Sequence, residues 1–128
     1  MSKCENTGKR DLTYSRWHRT LPDHCTWVDI DSVHYCNNCG SLLSMFELAQ
    51  CSHSADLKDK CRQKVASVTE RAANLCEIPS YKIAYTNSMD SAVQRLGQRD
   101  IEIVSEAGLR KFITQMHDNC AFCRKHNQ

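Results

Sequence analysis

Cysteine is the feature that most constrains this chain, because nine of its 128 residues are cysteines. Four of them form two Cys-x2-Cys pairs, Cys36 with Cys39 and Cys120 with Cys123. Two such pairs supply the four thiolates of a tetrahedral structural zinc site. The pairs lie far apart in the chain, so one shared zinc ion would staple a turn in the first half of the chain to the C-terminal region. We therefore predict a Cys4 zinc site.

The compartment decides whether these thiols stay reduced. The first residues, MSKCENTGKRD, contain no apolar run of the kind found in a secretory signal. Disulfide scaffolds belong mainly to secreted proteins. We therefore expect a cytoplasmic, reducing location and metal binding, with disulfide bonds as the alternative. Two further alternatives are a second metal site at Cys51, His53 and Cys61, and His126 as a replacement zinc ligand.

Length and composition predict one globular domain. Hydrophobic residues make up 41% of the chain and charged residues 25%, which is ordinary globular usage. No stretch is apolar enough to suggest a membrane span. We place the domain at residues 14–128, with knuckles at 36–39 and 120–123, after a polar segment at 1–13 whose order is doubtful.

Hydrophobic periodicity predicts a mixed fold. The predicted elements are strands at 26–35 and 42–48, a helix from about residue 60 to Pro79, strands at 81–85 and 101–104, and a final helix capped by Ser105. The segment 86–99 is predicted as a loop or a short helix. This order indicates an α/β fold of the α+β kind, in which helices flank a mixed central sheet.

Charge is unevenly distributed along the chain. No Lys or Arg occurs between Arg19 and Lys58, and this stretch has a net charge of −5, which leaves +7 for the rest. An acidic segment flanked by basic ones, which we call the acidic island, can bind a divalent cation close to the place where a phosphate backbone binds. The alternative is that the island is ordinary polar surface.

Two acids of this island can meet in the predicted hairpin. Asp31 lies on the first predicted strand and Glu47 on the second, so strand pairing can bring their carboxylates to one end of the sheet. Such a pair can hold Mg²⁺ or Mn²⁺, which activates water and neutralises a phosphate. The alternative is a pair of solvent-facing acids.

Four stretches follow one another in a distinctive order: Arg16-Trp17-His18-Arg19, Leu21-Pro22, Asp29-Ile30-Asp31, and Leu42 to Glu47-Leu48-Ala49. Together they resemble the core of the PD-(D/E)XK nuclease superfamily, most of all its small phage- and prophage-type members. In those proteins an acidic residue opens one strand, Glu-x-Lys ends the next, and a helix leads to a further strand. The similarity covers about residues 14 to 86.

This resemblance implies a restriction-endonuclease-like core and metal-dependent hydrolysis of phosphodiester bonds, with DNA as the substrate. It makes Asp31 and Glu47 the catalytic acids and the ligands of Mg²⁺ or Mn²⁺, in a protein that is phage-encoded and acts in the host cell. The lysine of the motif falls on Ala49. We therefore predict that Lys64 supplies the catalytic amine, with Lys58, Lys60 and Lys82 as alternatives.

Cationic residues beside Trp17 are the predicted nucleic-acid contacts. Arg16, His18 and Arg19 can hold a phosphate backbone near the metal. For Trp17 itself we expect half-buried packing rather than a base-stacking platform. Because the motif lysine is missing, the alternative function is a catalytically inactive, zinc-containing nuclease fold that binds nucleic acid or a host protein. A third reading is an interaction protein with no nucleic-acid role.

Overall fold

The computed structural model of the chain describes residues 12–26, 30–63 and 68–126. Within these ranges it contains five helices and five strands: α1 (Thr13–His18), β1 (Ser32–Tyr35), β2 (Leu42–Gln50), α2 (Leu57–Arg62), α3 (Val68–Leu75), β3 (Ser80–Tyr85), β4 (Ser91–Arg95), β5 (Ile101–Val104), α4 (Glu106–Asp118) and α5 (Ala121–His126). A single 3-10 turn, Ser54–Asp56, precedes α2. Most of the predicted N-terminal segment, 1–13, lies outside the described residues.

The five strands form one mixed sheet in the order β1-β2-β3-β4-β5. β2 and β3 run parallel, whereas the other three neighbouring pairs are antiparallel. A parallel pair needs a crossover connection, and α2 and α3 occur in that connection. The predicted mixed sheet with flanking helices is thus confirmed.

Apolar side chains cover both faces of the sheet, as strand alternation requires. On one face Phe46 and Ile83 pack against Leu109 of α4. On the other face Leu57 and Cys61 of α2 pack against Ala84. The sheet is therefore the middle of three layers, with α4 on one side and α2 on the other.

The first strand is shorter than predicted. Strand β1 begins only at Ser32, and residues 27–29 of the predicted strand lie outside the described residues. Asp31 therefore precedes the strand instead of lying on it. In a longer β1–β2 ladder the backbone amide of Leu48 would donate to a backbone carbonyl of β1. It instead donates to the side-chain oxygen Oδ2 of Asp31 at 2.9 Å, which ends the ladder.

Three other element predictions need correction. Strand β4 (Ser91–Arg95) occupies the segment predicted as a loop or short helix. Its two fully buried residues, Ser91 and Ala92, are small, so the strand lacks the large apolar side chains that mark a core strand. The single helix predicted from about residue 60 to Pro79 is instead two helices, α2 from Leu57 to Arg62 and α3 from Val68 to Leu75, because the backbone leaves the helical conformation at Gln63. Helix α5 was not predicted. Among the described residues, no helix has both the length and the apolar character that crossing a bilayer requires.

Candidate functional site

The four cysteines of the two Cys-x2-Cys pairs meet in space. All four Sγ atoms lie within 4.8 Å of one another. The Sγ–Sγ distance is 3.6 Å between Cys36 and Cys123 and again between Cys39 and Cys120. Tetrahedral zinc with bonds of about 2.3 Å separates its sulfur ligands by about 3.8 Å. The cluster therefore could hold a metal ion such as zinc, and the predicted convergence of the two pairs is confirmed.

Local backbone structure positions the first pair. The turn after β1 is closed by two hydrogen bonds, from the Gly40 amide to the Cys36 carbonyl at 2.7 Å and from the Cys36 amide to the Ser41 carbonyl at 2.8 Å. Gly40 has φ +78°, a conformation that glycine adopts without steric cost. This turn folds Cys39 back beside Cys36.

The start of α5 positions the second pair. Cys120 immediately precedes the helix and Cys123 is its third residue. The amide of Arg124 donates to the carbonyl of Cys120 at 3.0 Å, so the helical turn brings both thiols to one side. Cys36 and Cys120 are buried, with 5% and 3% of their surface exposed.

The thiols of the cluster differ in how readily they ionise. Hydrogen bonding between Cys39 and the side chain and backbone of Ser41 outweighs the effect of burial and lowers the pKa of Cys39 to about 6. At Cys123 a hydrogen bond from Asn38 favours the thiolate, but the neighbouring thiols of Cys39 and Cys36, together with burial, raise the pKa to about 12. A metal ion would therefore find a thiolate at Cys39 and would have to displace a proton from Cys123.

The two predicted catalytic acids also come together. Ser32 pairs with Phe46 in the β1–β2 ladder, so Asp31 lies opposite Glu47 at the end of the hairpin. The two carboxyl groups are close enough that Asp31 raises the pKa of Glu47. Asp31 is exposed, whereas Glu47 is half-buried.

Thr69, which was not predicted, and Lys82, which was an alternative for the catalytic amine, complete the surroundings of the acid pair. The Thr69 hydroxyl of α3 donates a hydrogen bond to Glu47 Oε1. Lys82 of β3 is the register partner of Glu47 across the parallel ladder. Its side chain is 4% exposed, and its Nζ donates to the Gln63 carbonyl at 2.7 Å.

Burial and neighbouring charges shift both ionisable partners in this group. Burial raises the pKa of Glu47, and the Thr69 hydrogen bond and the Lys82 charge only partly oppose this. Burial lowers the pKa of Lys82, with the repulsive Lys60 charge acting in the same direction and Cys61 and Glu47 opposing it. An acid pair beside a buried amine can bind a cation and transfer protons.

Comparison with protein-family models, curated protein sequences and solved structures gives no significant match. The family resemblance therefore stays a prediction. Function must be argued from the geometry of the sites.

The remaining predicted residues have mixed outcomes. Lys64 lies outside the described residues. Arg16, His18 and Arg19 lie on or just after α1, with both arginines exposed. Trp17 is 55% exposed, and its ring lies 5.8 Å from that of the exposed Tyr14; the choice between packing and base stacking stays a prediction.

The proposed second cysteine site does not form. Cys51 donates to the carbonyl of His53 at 3.1 Å, and Cys61 contacts the carbonyls of Lys82 and Ala92. Both thiols lie in the apolar core beside α2. Across the described ranges, the only group of three or more His, Cys, Asp or Glu ligands is the four-cysteine cluster. The alternative ligand His126 has no described side chain.

Proposed function

We propose that the chain is a metal-dependent nuclease that hydrolyses DNA phosphodiester bonds and carries a structural zinc at the four-cysteine cluster. The observation that supports the proposal best is the convergence of Asp31, Glu47 and Lys82 on one sheet face. The four cluster thiols are free, as a zinc site in a reducing compartment requires.

The acid pair suits Mg²⁺ or Mn²⁺. One oxygen of Asp31 accepts from the Leu48 amide and one oxygen of Glu47 accepts from Thr69. These contacts fix both carboxylates and leave each with a second oxygen for a hard cation. Such an ion, when bound, supplies an activated water and neutralises charge on the phosphate. Thr69 would thus be a positioning residue for Glu47.

Lys82 can provide the amine that the family pattern expects at residue 49. The methyl group of Ala49 cannot donate a hydrogen bond, but Lys82 stands beside Glu47 on the neighbouring strand. Its burial keeps the cationic amine close to the site where phosphate charge develops, and electrostatic stabilisation is strongest where water is excluded. Lys82 therefore replaces Lys64 as our preferred catalytic amine.

The order of elements is also that of the resemblance. Asp31 directly precedes the first strand of the hairpin and Glu47 lies in the second half of the second strand, helices follow, and the next strand lies parallel to the second. This agrees with the acid, Glu motif, helix and strand of PD-(D/E)XK proteins. The exposed Arg16 and Arg19 add cationic groups for the DNA backbone.

One observation favours binding without cleavage. The position of the motif lysine is Ala49, and the Lys82 amine already uses one of its three N–H donors on the Gln63 carbonyl. A nuclease-fold protein that grips DNA without cutting it is the second candidate.

The test is cleavage of plasmid and single-stranded DNA in Mg²⁺ or Mn²⁺. We expect Asp31→Asn, Glu47→Gln and Lys82→Met each to lower the rate by about a thousandfold, since each removes several kcal/mol of charge stabilisation. Glu102→Gln, which alters an exposed acid on β5, should cleave like the unmodified protein.

Two other outcomes contradict the proposal. If no DNA is cut in either metal while salt-sensitive binding persists, the chain is the binding module. If the Glu47→Gln protein cuts as fast as the unmodified protein, the acid pair is not the catalytic site.

A further inference from the structure

Two histidines that belong neither to the four-cysteine cluster nor to the acid pair face each other between the sheet and α4. His34 of β1 and His117 of α4 bring Nδ1 and Nε2 to 2.8 Å. Their ring planes are inclined at 64° with centroids 5.1 Å apart. The rings therefore meet edge to edge through their nitrogens rather than by stacking.

This nitrogen pair is close to a chelating geometry. Two imidazoles bound to one ion at about 2.0–2.1 Å with a tetrahedral angle have their nitrogens about 3.3 Å apart. The observed separation needs to widen by about half an ångström, and both rings must turn so that the two nitrogens point at the ion instead of at each other. Because one facing nitrogen carries the hydrogen of the present contact, binding requires that proton to move to the ring's other nitrogen, and both rings stay neutral.

The pair also has room for further ligands. His34 and His117 line a cavity of about 640 Å³, together with the polar residues Ser32, Asn37 and Thr114. Water molecules can therefore complete the coordination sphere. The four-cysteine cluster offers only sulfur ligands and is closed once its four thiols are bound.

We propose that His34 and His117 form a second, open metal site that takes an imidazole-preferring divalent cation such as Ni²⁺ or Zn²⁺. Neutral imidazole suits these ions, whereas Mg²⁺ prefers oxygen. The site binds reversibly, because only two ligands come from the protein. This inference does not rest on nuclease activity.

The test is Ni²⁺ titration of tag-free, zinc-loaded protein by calorimetry. The Glu47→Gln background removes the acid pair as a competing site. We expect one Ni²⁺ per chain. Binding should be at least about a hundredfold weaker in His117→Gln or His34→Gln, because removing a metal ligand costs more affinity than removing a residue that only hydrogen-bonds to a ligand. His53→Gln, which alters an exposed histidine, should bind Ni²⁺ unchanged.

A second measurement covers variants that fail to fold. Retention of one zinc per chain in His117→Gln shows that the cysteine cluster and fold survive. If zinc is lost, imidazole ¹⁵N spectra of the unsubstituted chain decide: added Zn²⁺ should shift the nitrogens of both rings. The proposal is overturned if Ni²⁺ does not bind, if a folded His117→Gln protein binds it equally well, or if Zn²⁺ leaves the His34 resonances unmoved.

Discussion

Metal at the four-cysteine cluster should account for a large part of the stability of this chain. Cys39 and Cys120 are 81 positions apart, and a crosslink closing a loop of that length restricts the unfolded chain. The loop-entropy relation gives about 4.5 kcal/mol at 25 °C for this closure. Domains of this size unfold with only about 5–15 kcal/mol, so a bound metal ion would contribute a substantial fraction of the total.

The perturbation is the double variant Cys120→Ser/Cys123→Ser, which removes the α5 pair and leaves the hairpin pair. Thermal unfolding followed by circular dichroism, with excess zinc, should show a melting temperature about 15 °C below that of the unmodified chain. Cys25→Ser and Cys76→Ser, which change exposed cysteines outside the cluster, should melt within about 2 °C of it.

A chelator separates the metal contribution from the cost of substituting a buried cysteine. In chelator the unmodified chain and the double variant should melt within a few degrees of each other, because neither then carries the crosslink. Equal melting temperatures in zinc would refute the loop-closure reasoning. If the full difference in melting temperature between the two proteins persists in chelator, the destabilisation comes from lost packing at Cys120 and not from lost metal.

Two further outcomes follow from the structure. The Glu47 carboxyl should titrate above its ordinary pKa of 4.5, higher in Thr69→Val and lower in Asp31→Asn, by ¹³C NMR. Because the pKa of Glu47 is raised in the folded protein, the stability that protonated Glu47 contributes is lost as pH rises through that pKa. Glu47→Gln should therefore be more stable than the unmodified protein at neutral pH. A titration midpoint at or below 4.5 contradicts this. Urea unfolding should show a loss of about 1–2 kcal/mol for Gly40→Ala, from its positive φ alone. The loss should be similar for Gly97→Ala, which also has a positive φ, because Glu70 Oε1, 2.9 Å from the new Cβ, is the end of a flexible side chain that can move; a much larger loss would show that Glu70 cannot move.

Local sequence patterns predicted α4, the helix that covers one face of the sheet. The helix predicted after Ser105 exists as α4, and the Ser105 hydroxyl accepts from the Gly108 amide at 3.2 Å, as an N-cap should. Its apolar residues Phe112 and Met116, one turn apart, pack against the sheet. Such features are encoded within one turn of the chain, so sequence periodicity suffices to find them.

Strand β4 and the partners of Glu47 depend on long-range pairing. β4 is held by β3 and β5, and its small buried residues give no periodic apolar signal. The register that places Lys82 beside Glu47 arises from the parallel β2–β3 ladder, and Thr69 reaches the same acid from α3. Motif spacing identified the acids and the four cysteines, but it could not specify which amine would stand next to them.

The four-cysteine cluster joins one hairpin tip to a short helix that is synthesised much later. During translation, the thiols of Cys36 and Cys39 leave the ribosome long before residue 123 exists, so the metal site cannot be completed until the final helix has emerged. At about 5–20 residues per second, this interval lasts several seconds. A nascent chain must therefore keep two reduced thiols unoxidised for that time, and any product truncated before α5 would lack the crosslink altogether.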